Sequence, residues 1–127
     1  MTVLLFDDAE RLAAAAAGAI ADAAGRAVAR DGRFSIALSG GATPRKTYEL
    51  LAAPSWRKRI DWNRGLVLFG DERCVPASHA DSNARMAADA LLDRLGPSGP
   101  RVMAIDGETN PREAAVRFGA RVAEAFG

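Results

Sequence analysis

With 127 residues, 49% of them apolar and 26% charged, and a net charge of +1, the chain has the composition of one folded unit and not of a disordered one. Its seventeen basic and sixteen acidic residues are interspersed, which argues against a surface built for nucleic acid or for a membrane and leaves small charged ligands open. The charge-free stretch Leu12 to Ala21 falls short of the roughly 20 apolar residues of a membrane span, and the opening MTVLLFDDAER lacks a basic signal-type region, so the expected compartment is the cytosol.

A single cysteine, Cys74, rules out an internal disulfide framework, and with one histidine, His79, no zinc site is expected. In chain order, an apolar run at Val3–Phe6 precedes Asp7-x-x-Glu10, which reads as a capping box opening a helix. Leu12, Ala16, Ile20, Ala23 and Ala27 form its predicted inner stripe, Asp22, Arg26 and Arg30 another face, and Asp31-Gly32 its end. Phe34 to Leu38, apolar or β-branched on both parities, predicts a strand covered on both faces. It runs into Ser39-Gly40-Gly41-Ala42-Thr43-Pro44, where Thr43 is placed to cap a helix whose first residue is Pro44 and whose inner side carries Tyr48 and Leu51.

Gly65 to Gly70 reads as a second buried strand, followed directly by Asp71-Glu72-Arg73. Asp81 or Ser82 then opens a helix running through Leu95, with Met86, Ala90, Leu91 and Leu95 inside. A third strand near 101–105 precedes Asn110-Pro111-x-Glu113, the start of a helix that continues to about Phe126. The alternation predicts one α/β unit over residues 1–127, an open, mostly parallel sheet with helices on both faces.

In such sheets ligands bind beyond the carboxyl ends of the strands. The Ser39–Pro44 loop combines two glycines, a hydroxyl and the free N–H groups of a helix start, a setting for a phosphate or carboxylate; an ordinary strand-to-helix turn would look the same. It is neither a Walker A nor a GxGxxG pattern, so no nucleotide is implied. In GDERCVP at 70–76, three consecutive charged side chains diverge, so at most two face one crevice. Asp71 has the chemistry of a base or water-orienting group and Arg73 that of a bidentate anion holder, with a solvated salt-bridged loop as the alternative. Cys74 has no partner in sequence that would make it a nucleophile, and His79 reads as a loop histidine making hydrogen bonds.

Four blocks, ALSGGATPRKTYELL at 37–51, DW at 61–62, LFGDERCVP at 68–76 and H-x-DSN-x-RMA at 79–87, together resemble the 6-phosphogluconolactonase family in order and spacing, over essentially the whole chain. The related glucosamine-6-phosphate deaminases share the fold, but carry Met-Asp-Glu-Tyr and Ser-Tyr where Gly70-Asp71-Glu72-Arg73 and Asp81-Ser82-Asn83 stand here. The resemblance implies a Rossmann-like three-layer fold of the sugar-phosphate isomerase/deaminase type. It also implies hydrolysis of 6-phospho-D-glucono-1,5-lactone, a sugar-phosphate lactone, with neither metal nor organic cofactor. Carried over by residue, it places Ser39, Gly40, Gly41 and Thr43 along the substrate pocket, Asp71 at the reacting carbon, Arg73 on an anionic part of the substrate, and Ser82 and Asn83 in the pocket wall.

The family's further Gly-x-Asp-Gly-His block, whose histidine is the expected general base, has no counterpart among these residues. The expectation is therefore the amino-terminal half of a lactonase domain, with a sheet incomplete on its carboxyl-terminal side. A non-catalytic sugar-phosphate-binding module is the reading from a different class.

Overall fold

The computed structural model describes residues 1–127 as α1 (Ala9–Asp31), β1 (Phe34–Leu38), α2 (Ala42–Ala52), α3 (Pro54–Arg57), β2 (Gly65–Phe69), α4 (Asn83–Ala90), β3 (Arg101–Met103) and α5 (Pro111–Phe126), with three short 3-10 turns between them. The strands form one parallel sheet in the order β1-β2-β3, with Phe34 opposite Gly65, Leu38 opposite Phe69 and Leu68 opposite Met103. Paired residues of a parallel sheet share a face. One face therefore carries Phe34, Ile36, Leu38, Val67 and Phe69, and the other Ser35, Ala37, Leu66, Leu68, Arg101 and Met103.

The first face holds the core. Phe34, Leu38, Val67 and Phe69 form one buried cluster with Ala17, Ala21 and Ala24 of α1, Tyr48 and Leu51 of α2, and Ala87 and Ala90 of α4. The Phe34 ring lies edge-on to Trp62 at 6.0 Å. Each large apolar side chain removed from water here contributes about 1.5–3 kcal/mol. The second face has far less cover: Leu68 and Met103 are buried, as is Ala114 of α5, while Ser35 and Ala37 stay exposed. The last turn of α5, Ala125 and Phe126, borders Ser35, Leu66 and Arg101, so α5 crosses this face and helices do lie on both sides of the sheet.

Several boundaries differ from the sequence reading. The cap of α1 is Asp8, which accepts from the Arg11 N–H, and not Asp7, which instead pairs with the Arg11 guanidinium at 2.7 Å. The buried stripe of α1 is Ala13, Ala17, Ala21 and Ala24, one position round from the predicted one, with Ala23 exposed and Ile20 half-buried. In an alanine-dominated helix the apolar period is nearly degenerate, and close approach to α2 selects the smallest side chains over Leu12 and Ile20.

By length and composition α1 also meets the criterion for a membrane-crossing helix, with 23 residues and a mean hydropathy of 1.3 in its most apolar window. The charge-free stretch alone did not reveal this. In the fold, its buried alanines lie in the core.

Thr43 is not a cap: Gly41 holds that position, and Thr43 and Pro44 lie within the first turn of α2. The helix capped by Ser82 stops at Ala90 and gives way to 3-10 turns instead of reaching Leu95, and β3 ends at Met103. Val3–Phe6 pairs with no strand and is exposed, Leu5 at 90%.

Candidate active site

Three loops leave the carboxyl ends of the strands. After β1, the backbone of Ser39 is held from both sides by one phenol: its N–H donates to Tyr48 Oη and its carbonyl accepts from the same hydroxyl, each at 2.9 Å. Burial pushes the Tyr48 pKa up, against the opposing effect of the Ser39 hydrogen bond, so the phenol stays protonated and can make both contacts. Gly41 has φ 107°, a conformation that glycine alone adopts without strain, and it caps α2 with no side-chain hydrogen bond. The first turn of α2 carries no acidic residue, so its partial positive charge is left open.

The amino end of α4 is the opposite case. Ser82 Oγ accepts from the Arg85 N–H at 3.1 Å, and the Glu72 carboxylate accepts from the N–H groups of Asn83 at 2.7 Å and Ala84 at 2.9 Å. Glu72 also accepts from Ser82 Oγ at 3.0 Å and from the Arg73 N–H at 2.7 Å. Burial pushes its carboxyl up, but these hydrogen bonds, from Ala84, Asn83, Arg73 and Ser82, outweigh it and hold it below the ordinary glutamate range. The middle member of the charged trio is thus turned into the fold, leaving Asp71 and Arg73 exposed on either side.

Asn83 joins the loops. Its amide donates to the Asp71 carbonyl and to Asp71 Oδ1, both at 3.2 Å. The same amide lies so close to Gly40 that a Cβ there would overlap it, so the β1 loop, the β2 loop and the start of α4 meet at one residue. Gly107, after β3, sits equally close to the backbone of Arg73 and Val75 and brings in the third loop. Ser39, Gly40, Gly41, Asp71, Ser82 and Asn83 are therefore assembled at one end of the sheet. Thr43 is exposed beside them, and of Arg73 only the backbone N–H is engaged.

Cys74 is an exposed free thiol. His79 is exposed, and its Nδ1 accepts from the Asp81 N–H at 3.0 Å. Sequence reasoning missed Glu72 and Tyr48 as the groups that set the loops. Neither has a local signature, since their partners lie nine to twelve residues away. A groove of about 980 Å³ lies elsewhere, at the amino ends of the strands between Arg33, Ser35, Arg101 and Phe126. It lacks the convergent loops and the open helix start found at the carboxyl end.

The open parallel α/β sheet thus carries at its carboxyl end a glycine-rich loop, a helix start without a side-chain cap and the exposed side chains of Asp71 and Arg73, at the end where sheets of this class bind their ligands. The chain belongs to the glucosamine-6-phosphate isomerase/6-phosphogluconolactonase family, whose model matches residues 7–127. It is 40% identical to a 6-phosphogluconolactonase of Nostoc over 93 residues, covering 72% of this chain and 37% of the relative. To that of Mesorhizobium japonicum it is 44% identical over 87 residues, covering 68% and 35%. Among solved structures, the 6-phosphogluconolactonase of Shewanella baltica superposes with a TM-score of 0.81 at 28% identity, over 92% of this chain and 48% of that one. A monomeric glucosamine-6-phosphate deaminase matches the fold equally, TM-score 0.81, at 19% identity over 98% and 51%. The chain thus spans little more than a third of the length of these curated relatives and about half of these solved chains.

Proposed function

We propose that these residues form the sugar-phosphate-binding part of a 6-phosphogluconolactonase active site, which hydrolyses 6-phospho-D-glucono-1,5-lactone to 6-phosphogluconate. The observation that carries the reading is the convergence on Asn83 of Gly40 and Asp71, in a family whose relatives at 40% and 44% identity bear that name. In this reaction water adds to the lactone carbonyl and the ring oxygen leaves as the C5 hydroxyl. Asp71, oriented by Asn83 and open to solvent, is the group for the reacting carbon and its water. Arg73 and the N–H groups of the Ser39–Thr43 turn take the anionic part of the substrate. Ser82 and Asn83 support the wall. The reading requires no metal, organic cofactor, nucleic acid or membrane, and takes the cytosol as its compartment.

His79 is not assigned as the base. It lies on an exposed turn, with its Nδ1 accepting a backbone hydrogen bond. A missing general base costs about 10²–10⁴-fold in rate, so residues 1–127 alone are expected to hydrolyse the lactone near the spontaneous rate.

Titration of the chain with 6-phosphogluconate, followed by amide NMR, tests the binding half of the reading. Shifts should centre on Gly40–Thr43 and Arg73, and Arg73→Ala should weaken binding about tenfold or more, as expected for hydrogen bonds to a charged group. Silence at those amides, or tighter binding of glucosamine-6-phosphate there, would replace the lactonase reading.

A further inference from the structure

We propose that Gly107, on the loop after β3, is a positioning residue for substrate binding: its contact with the turn Arg73–Val75 fixes the point from which the Arg73 guanidinium reaches an anionic group. The inference rests on the reading that Arg73 holds the anionic part of the substrate. Arg73 is clamped at both ends of its backbone and free at its side chain. Its N–H donates to Glu72 Oε1 at 2.7 Å, and the Glu72 carboxylate is itself held by the N–H groups that open α4. Its carbonyl accepts from the Val75 N–H at 2.8 Å, which closes a tight turn, and Gly107 packs against that turn. The Arg73 side chain is exposed and takes part in no ion pair within 4.0 Å.

The contact has room for glycine alone. A Cβ on Gly107 would stand 2.6 Å from the Arg73 carbonyl oxygen and closer still to that of Val75, against about 3.3–3.6 Å for an ordinary carbon–oxygen approach. Both obstacles are backbone, so no rotamer change relieves them, and the turn would have to retreat by about 1 Å to restore that approach. The loop that carries Gly107 is not free to retreat in its place. Asp106 accepts from the Glu108 N–H at 2.9 Å and from the Thr109 hydroxyl at 3.1 Å, and Arg117 of α5 donates to Thr109 Oγ1 at 2.9 Å. Arg121, one turn further along α5, donates to the Ala104 carbonyl at 3.1 Å. α5 therefore holds the loop on both sides of Gly107. A bidentate guanidinium–anion pair is directional, so displacing the Arg73 backbone weakens it while the residue itself is unchanged.

The test is titration of the chain with 6-phosphogluconate, followed by amide NMR, for the parent, Arg73→Ala, Gly107→Ala and the double variant. Gly107→Ala should weaken binding about tenfold in the parent and leave the Arg73→Ala chain unchanged, because a residue that acts through Arg73 has nothing to position once the guanidinium is gone. In the free chain it should move the amides of Arg73–Val75 and leave Gly40–Thr43 in place. Asp106→Ala, at an exposed position, releases the same loop without adding a side chain to the contact. It should show the same dependence on Arg73, and it carries the test if melting curves show that Gly107→Ala does not fold. An Arg73→Ala chain that binds as the parent does would remove the substrate reading and this inference with it. Binding that Arg73→Ala weakens but both loop variants leave unaltered, or that they weaken by the same factor with and without Arg73, would overturn the positioning role alone.

Discussion

Glu72 shows how one side chain organises a site without facing it. Its carboxylate accepts four hydrogen bonds, from the N–H groups of Arg73, Asn83 and Ala84 and from Ser82 Oγ. Glu72→Gln keeps the shape but loses the charge and half the acceptor capacity, and should lower stability by about 1–2 kcal/mol in urea unfolding. The pH dependence follows from the depressed carboxyl. Its ionisation contributes fully above the ordinary glutamate range, and that contribution is lost as pH falls through the lower folded value. The gap between the parent and Glu72→Gln should therefore close on acidification and stay constant from pH 6 to 8; a gap unchanged down to the acid transition would assign Glu72 no ionic role. Gly41→Ala tests the neighbouring loop. At φ 107° a side chain should cost about 1–3 kcal/mol, read as a lower melting temperature.

At the level of elements, two of the helices that start at the carboxyl end of the sheet, α2 and α4, differ in what their amino ends are free to do. α4 is capped by Ser82 and neutralised by Glu72, whereas α2 begins at a glycine with no side-chain cap and no acid in its first turn. Added phosphate should accordingly shift the amides of Ala42 and Thr43 and leave Asn83 and Ala84 unmoved; the reverse pattern would place the anion on the wrong helix. For α1, the observed rotation of the stripe makes a sharp distinction. Ala17→Leu, at a position with no exposed surface, should destabilise by about 1–3 kcal/mol through overpacking. Ala23→Leu, at an exposed position, should stay within about 0.5 kcal/mol of the parent in the same melts. Equal effects would return the inner face to the stripe the sequence suggests.

Across the whole molecule, cover is uneven. One sheet face carries a continuous core, while on the other Ser35 and Ala37 lie open and α5 leaves Val116 72% and Phe126 52% exposed. Added to Val3, Leu4 and Leu5, this is more apolar surface than a small soluble unit ordinarily presents. Residues 1–127 alone should bind a hydrophobic dye such as ANS while retaining cooperative loss of helix signal on heating. A chain that binds no dye would mean that these surfaces cover one another in solution.

Strand positions, the alternation of strand and helix, the Asn110 start of α5 and the two chemically charged loops were all legible in the sequence, because each rests on local patterns: runs of β-branched and aromatic residues, caps, and glycines placed after strands. The resemblance of four ordered blocks added the family. Tertiary structure alone decided the rest. Which alanine stripe of α1 faces inward depends on how closely α2 approaches, and periodicity among nearly identical side chains carries no such information. The Thr43 cap gave way to Gly41 because the β1 loop turns through a positive φ before the helix begins. The roles of Glu72, Tyr48 and Asn83 follow from partners brought together across nine to forty-three residues by the parallel crossovers, the longest being the contact of Asn83 with Gly40. A local pattern reports what a residue can do, and only the packed sheet determines what it is next to.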